Sequence, residues 1–212
     1  MRIRRVAACC AAVFLAGLSA TAQEVAITEG KPDATFTLKD QTFRITRNQD
    51  TEAVLTGEFA RTSRECPPFC IQPMRIADGV DTIAELELIA LLETDIAAGR
   101  ALLIDSRLPD WYGQGTIPGA VNVPFSTLDP QNPYRDEILQ ALGAVPGPDG
   151  GLDFTGALEL VLFCNGPWCS QSPQAITNLL EAGYPADKLL YYRGGMQGWQ
   201  SLGLTVHVLQ EG

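Results

Sequence analysis

The sequence predicts an α/β protein, a parallel sheet with helices on both faces, preceded by a small β-rich extension. Two observations carry this. Short apolar runs at residues 101–104, 158–163 and 189–192 alternate with stretches of helical periodicity. Residues 35–46 instead follow a period-two rhythm, Phe36 and Leu38, then Phe43 and Ile45, around Asp40-Gln41, which reads as a hairpin.

In chain order, the first segment is a leader. Arg2, Arg4 and Arg5 precede an apolar stretch from Val6 to Leu18 and the small-residue site Ala20-Thr21-Ala22. This is the pattern of a secretory signal peptide over residues 1–22, cut after Ala22. The apolar stretch falls short of the roughly 20 residues needed to span a bilayer. A lipobox reading at Val6-Ala7-Ala8-Cys9 would leave almost no apolar stretch before the cut. The expectation is a soluble exported protein, periplasmic, with no membrane contact after cleavage.

Residues 23–79 read as the β-rich extension: a loose lead-in, the hairpin, a further strand at 53–60, and a proline-rich C-P-P-F-C segment at 66–70. Residues 80–209 read as the main domain. Thr82-Ile83-Ala84-Glu85 has the form of a capping box before a helix with Ile83, Leu86, Ile89 and Ala90 on one face. Strands are expected at 101–104, 119–123, 158–163 and 189–192. Helices are expected at 170–181, ended by Gly183 and Pro185, and at 196–202. Residues 145–151, with Pro146, Pro148 and three glycines, read as a surface loop.

Charge narrows the partners. The whole chain carries −10; without the leader's three arginines, 12 of the 15 Lys and Arg face 25 Asp and Glu, a net of −13. Such a surface argues against nucleic acid and anionic membranes. Of the six cysteines, Cys9 and Cys10 leave with the leader. The remaining four form two close pairs, Cys66 with Cys70 and Cys164 with Cys169, whose connectivity the sequence does not decide.

Cys164 is the candidate nucleophile. It closes the apolar run Leu160-Val161-Leu162-Phe163 and opens the loop Asn165-Gly166-Pro167-Trp168-Cys169-Ser170 before a helix. Backbone N–H groups are free at such a junction, and the helix dipole favours thiolate over thiol. Ligands of parallel sheets bind beyond the carboxyl ends of the strands. There Asp105-Ser106-Arg107, the Cys164 loop and Arg193-Gly194-Gly195 are expected to converge.

Residues 80–208 resemble the rhodaneses, single-domain sulfurtransferases. Leu103-Ile104-Asp105-Ser106-Arg107 resembles their D-x-R strand end, and residues 115–124, GTIPGAVNVP, resemble their G-H-I-P-G-A-x-N-x-P segment. Cys164 matches the catalytic cysteine, and Arg193-Gly194-Gly195 through Trp199 and Gly203 resembles the closing pattern. The resemblance implies ping-pong sulfur transfer through a Cys164 persulfide, cradled by backbone N–H groups of residues 165–170, with no cofactor and no metal. The implied substrates are a small sulfur-containing anion such as thiosulfate and a thiol or other thiophilic acceptor, with a protein redox or sulfur-relay partner as a further expectation.

Three departures qualify it. Thr116 stands where the family has His, and the loop lacks the Arg or Lys of thiosulfate-preferring members. Ser170 also occupies the Arg position of related C-x5-R phosphatases, leaving no guanidinium for a phosphoryl group. Arg107 and Arg193 would then supply positive potential to the substrate, unless Arg107 pairs with a nearby carboxylate. Cys169 reads as a core thiol, a resolving thiol or a disulfide partner of Cys164. Cys66 and Cys70 read as a local disulfide or as a pair exchanging electrons or sulfur with the Cys164 loop. The alternatives to a sulfurtransferase are a thiol–disulfide oxidoreductase using Cys164 and Cys169, and a non-catalytic binding module of the same fold.

Overall fold

The computed structural model of the chain describes residues 24–148 and 150–209. The expected leader at 1–22 lies outside the described residues. Strands β1 (Ala34–Leu38) and β2 (Gln41–Ile45) form the expected hairpin, with Phe36 opposite Phe43 and Lys39 at φ 53° in the turn. The strand expected at 53–60 is absent. Gly57–Ala60 forms a single 3-10 turn, and Val54 is 80% exposed, so the apolar residues that suggested a strand have no sheet to join.

The main sheet starts at β3 (Asp81–Ile83), which places Thr82 in a strand rather than at a helix cap. Helix α1 (Glu85–Leu91) is capped two residues later: the Ala84 N–H donates to the Glu87 carboxylate at 3.1 Å. A π turn, Leu92–Ile96, carries the chain to β4 (Ala101–Asp105). Helix α2 (Pro109–Gly113), β5 (Val121–Asn122) and α3 (Arg135–Ala141) follow. Part of the surface loop expected at 145–151 pairs instead, since β6 (Val145–Pro146) runs antiparallel to β7 (Leu152–Asp153). The remaining elements are β8 (Glu159–Phe163), α4 (Gln171–Glu181), β9 (Leu189–Tyr192) and α5 (Gly195–Ser201).

The five-stranded sheet has the order β3-β9-β8-β4-β5, and every pairing in it is parallel. Successive residues of β8 point to opposite faces. Val161 and Phe163 join Leu88, Leu92, Met196 and Trp199 on one face; Leu160 and Leu162 join Leu139, Ile176 and Leu179 on the other. Helices therefore cover both faces. The hairpin belongs to the first of these layers, because Ala34, Phe36 and Ile45 are buried within it. Its end is tied to the C-terminal segment by Thr46, which exchanges hydrogen bonds with Thr205 at 2.9 and 3.1 Å.

Strand β8 is central, and its neighbour is β4. The chain leaves β4 toward β5 on one side and leaves β8 toward β9 on the other. Their carboxyl ends thus flank a topological switch point, where open α/β sheets bind ligands. Helix α4 begins there and ends in a Schellman motif. Tyr184 N–H donates to the Leu179 carbonyl at 3.0 Å and Gly183, at φ 95°, to that of Leu180 at 2.9 Å.

Candidate active site

Cys164 follows the last residue of β8 and is 2% exposed. Burial by itself pushes its thiol up. The polar groups around it, the Cys169 thiol, the Ser172 hydroxyl and N–H and the Gly166 N–H, outweigh burial and the net shift is downward; the Cys164 thiol itself donates to the Cys169 carbonyl at 3.3 Å. Cys169 is shifted the opposite way, first by burial and then by the hydrogen bond and charge of Cys164, so it stays a thiol and a donor. Both thiols are free in the structure.

Ser172, at the start of α4, is a buried polar residue of the site that the sequence reading missed. Its Oγ is fully buried with no hydrogen-bond partner, an unsatisfied donor that contributes to the downward shift of Cys164 and is available to its thiolate. A serine in the first turn of an apolar helix, eight residues after the nucleophile, was the available signal. Ser170, expected in the cradle, is exposed; its carbonyl accepts from Gln174 N–H at 2.9 Å.

The loop is held from below by the first turn of α5. Met196 N–H donates to the Cys164 carbonyl at 3.0 Å and Gln197 N–H to that of Asn165 at 2.9 Å. Within the loop, Cys169 N–H donates to the Gly166 carbonyl at 2.9 Å. Trp168 is fixed by its indole N–H, which donates to Gln197 Oε1 at 2.7 Å, while Gln197 Nε2 reaches the Phe59 carbonyl at 2.8 Å. The anion-facing N–H groups are therefore set in place before any substrate arrives.

Arg107, expected to lend charge to the substrate, is 1% exposed and engaged elsewhere. Its Nε and Nη2 donate to Asp105 at 2.8 and 2.5 Å, its Nη2 to the Gly115 carbonyl at 2.7 Å, and its Nη1 to Asn165 Oδ1 at 3.4 Å. Thr116 Oγ1 adds a bond to Asp105 at 2.8 Å. Asp105 and Arg107 thus form a buried ion pair that ties the 115–116 turn and the Cys164 loop to β4. Arg107 is a positioning residue. The lone histidine, His207, exchanges backbone hydrogen bonds with Thr116 at 2.8 Å each, while its ring lies edge-on to Phe43 with ring centroids 5.4 Å apart.

The other expected arginine does face the loop. Arg193 donates to the Gln72 carbonyl at 2.9 Å and lines a cavity with Pro167, Trp168 and Gln197. The far wall of that cavity comes from the extension. Gln72 N–H donates to the Pro167 carbonyl at 2.7 Å, Phe69 stands edge-on to Trp168 at 5.7 Å, and the Arg64 guanidinium lies 3.7 Å above the Trp168 ring. Between these contacts lies the C-P-P-F-C turn, with Cys66 and Cys70 Cα atoms 4.6 Å apart and their sulfur atoms in bonding contact.

A family model described as the rhodanese-like domain matches residues 88–202. The human thiosulfate:glutathione sulfurtransferase is 34% identical over 125 residues, covering 57% of this chain and 94% of that protein. An HTH-type transcriptional regulator of Mycobacterium tuberculosis is 29% identical over 126 residues, which cover 59% of this chain and 44% of the regulator. The chain thus spans less than half of that regulator's length. Among solved structures, a human single-domain sulfurtransferase matches with TM-score 0.39 and 26% identity, covering 57% of this chain and 96% of its own. A thiosulfate sulfurtransferase from Pseudomonas aeruginosa matches with TM-score 0.41 and 26% identity, covering 62% of this chain and 21% of its own.

Proposed function

The chain belongs to the rhodanese-like domain family, and from that premise we propose that it is an exported sulfurtransferase carrying sulfane sulfur on Cys164. The observation that carries this reading is the place of Cys164, buried just past the carboxyl end of the central strand β8 and in a loop held by the Met196 and Gln197 N–H groups, where its thiol is shifted toward the thiolate. The Cys164 thiolate attacks the outer sulfur of a donor anion such as thiosulfate. The donor S–S bond breaks, sulfite leaves with its electron pair, and Cys164 holds a persulfide anion. An acceptor thiolate then attacks the outer sulfur of the persulfide, takes it, and returns Cys164 as thiolate. No general base is needed, because the nucleophile is already ionised. The substrate-facing surface of the loop is its backbone, with Asn165, Gly166, Pro167 and Trp168 setting its shape.

Export rests on the basic and apolar start of the sequence, and an oxidising compartment is consistent with a Cys66–Cys70 disulfide. The test is mass spectrometry of the protein and of Cys164→Ser after exposure to thiosulfate. A labile single-sulfur adduct on Cys164, lost on adding cyanide, is the expected result.

The Cys164 thiol donates to the Cys169 carbonyl at 3.3 Å, and this proximity of the two cysteines favours one second reading, a dithiol redox site. There the Cys164 thiolate would attack a partner's disulfide, and Cys169 would then displace the partner as a dithiol, leaving a Cys164–Cys169 bond. The same spectra separate the two: a loss of two hydrogen atoms across the 164–169 peptide without added sulfur marks redox exchange.

A further inference from the structure

We infer that the cavity between the extension and the Cys164 loop is the acceptor subsite, and that it takes a small thiol bearing a carboxylate. The inference rests on the sulfurtransferase reading above. The cavity measures about 470 Å³, within the range of small-molecule sites, and its walls include Arg61, Arg64, Phe69, Ile71, Trp168 and Arg193. Four of these six residues lie before residue 88, outside the segment matched by the family model. The subsite is therefore an addition of this chain rather than part of the shared domain.

Its charge runs against the rest of the molecule. The chain carries −10, yet three guanidinium groups line this one space. Arg61 and Arg64 share a single carboxylate, Glu58, at 3.1 and 3.3 Å, and Arg193 is bonded to a neutral carbonyl. Net positive charge remains inside a concave wall, where it attracts an anion that the acidic exterior would repel. The apolar side chains of Phe69, Ile71 and Trp168 in its walls suit the carbon skeleton of such a molecule. Pro167 and Trp168 are also loop residues, so a thiol anchored by its carboxylate stands beside the loop that holds the persulfide. Its thiolate takes the outer sulfur, the persulfide S–S bond breaks, and the electron pair stays on Cys164.

The test uses the full chain and three small thiols: mercaptosuccinate, neutral 2-mercaptoethanol and cationic cysteamine. The protein is loaded with thiosulfate, and the acceptor half-reaction is followed alone. The expected order of preference, by KM, is mercaptosuccinate, then 2-mercaptoethanol, then cysteamine. Arg61→Glu and Ile71→Asp should each shift the KM ratio of mercaptosuccinate to 2-mercaptoethanol about fivefold against the anion, the scale of a partly exposed charge contact. Equal KM values for the three thiols, or an unchanged ratio in both variants, would overturn the proposal. If no persulfide forms, the sulfurtransferase reading fails, and the subsite is read directly by NMR titration of the Trp168 indole N–H. A saturable shift with mercaptosuccinate, weakened by Arg61→Glu, supports the subsite; no shift overturns it.

Discussion

Gly195 packs against the backbone of Cys164 so closely that a side chain on it would collide with the Cys164 carbonyl oxygen and stand 2.7 Å from the Gly166 nitrogen. Gly195 also sits at φ 55°, a region that other residues enter at a cost of about 1–2 kcal/mol. The first turn of α5 can therefore reach under the nucleophile loop only with glycine at this position. Gly195→Ala is expected to lower unfolding free energy by about 2 kcal/mol or more and to slow sulfur loading on Cys164. Urea unfolding and the rate of adduct formation from thiosulfate measure the two effects separately.

Removing Arg107 leaves Asp105 buried without its cation. Arg107→Ala should destabilise the fold by about 3–5 kcal/mol, and Arg107→Lys should recover only part of that loss, because an ammonium cannot span Asp105, Gly115 and Asn165 together. Chemical denaturation of both variants tests this. Were the residue a substrate contact instead, stability would hold and KM alone would rise.

The Cys164 thiol is shifted downward in the folded protein, so thiolate reactivity should persist below the pH at which ordinary thiols ionise. Ser172→Ala removes a buried, unpartnered hydroxyl that is available to the thiolate, and so destabilises the charged form. The midpoint of iodoacetamide alkylation should then move to higher pH. Cys169 should stay unmodified across the same range, since its own shift is upward. An unmoved midpoint in Ser172→Ala would remove the hydroxyl from this role.

Ile45 is fully buried in the layer that holds α1 and α5, although it lies in the N-terminal hairpin. Ile45→Ala should cost about 2–5 kcal/mol in one cooperative transition, as a core truncation does. Two separate unfolding steps would instead mark the hairpin as an independent unit.

The parts of the site legible in the sequence are those written locally. The apolar run into Cys164, the glycine after α4 and the Asp105-Ser106-Arg107 strand end each announce themselves within a few residues. The apolar residues at 53–60 look like strand material, while a strand exists only if another edge receives it, and Gly57–Ala60 instead forms a 3-10 turn. Thr82 resembled a cap for the same reason: its neighbours fit the pattern, but pairing of Asp81–Ile83 with β9 took precedence. Arg107 could be placed next to an anion or next to Asp105, and only burial decides between them. Contacts such as Gln72 with Pro167 and Phe69 with Trp168 join positions nearly a hundred residues apart, and no periodicity encodes them.

The central claim is that Cys164 carries sulfur, and peptide mass spectrometry after incubation with thiosulfate tests it most directly. The account predicts one added sulfur atom on the peptide containing Cys164, removed by a thiol acceptor and absent from Cys164→Ser. Failure of any sulfur donor to leave such an adduct, or an equal adduct on the Ser variant, would contradict it.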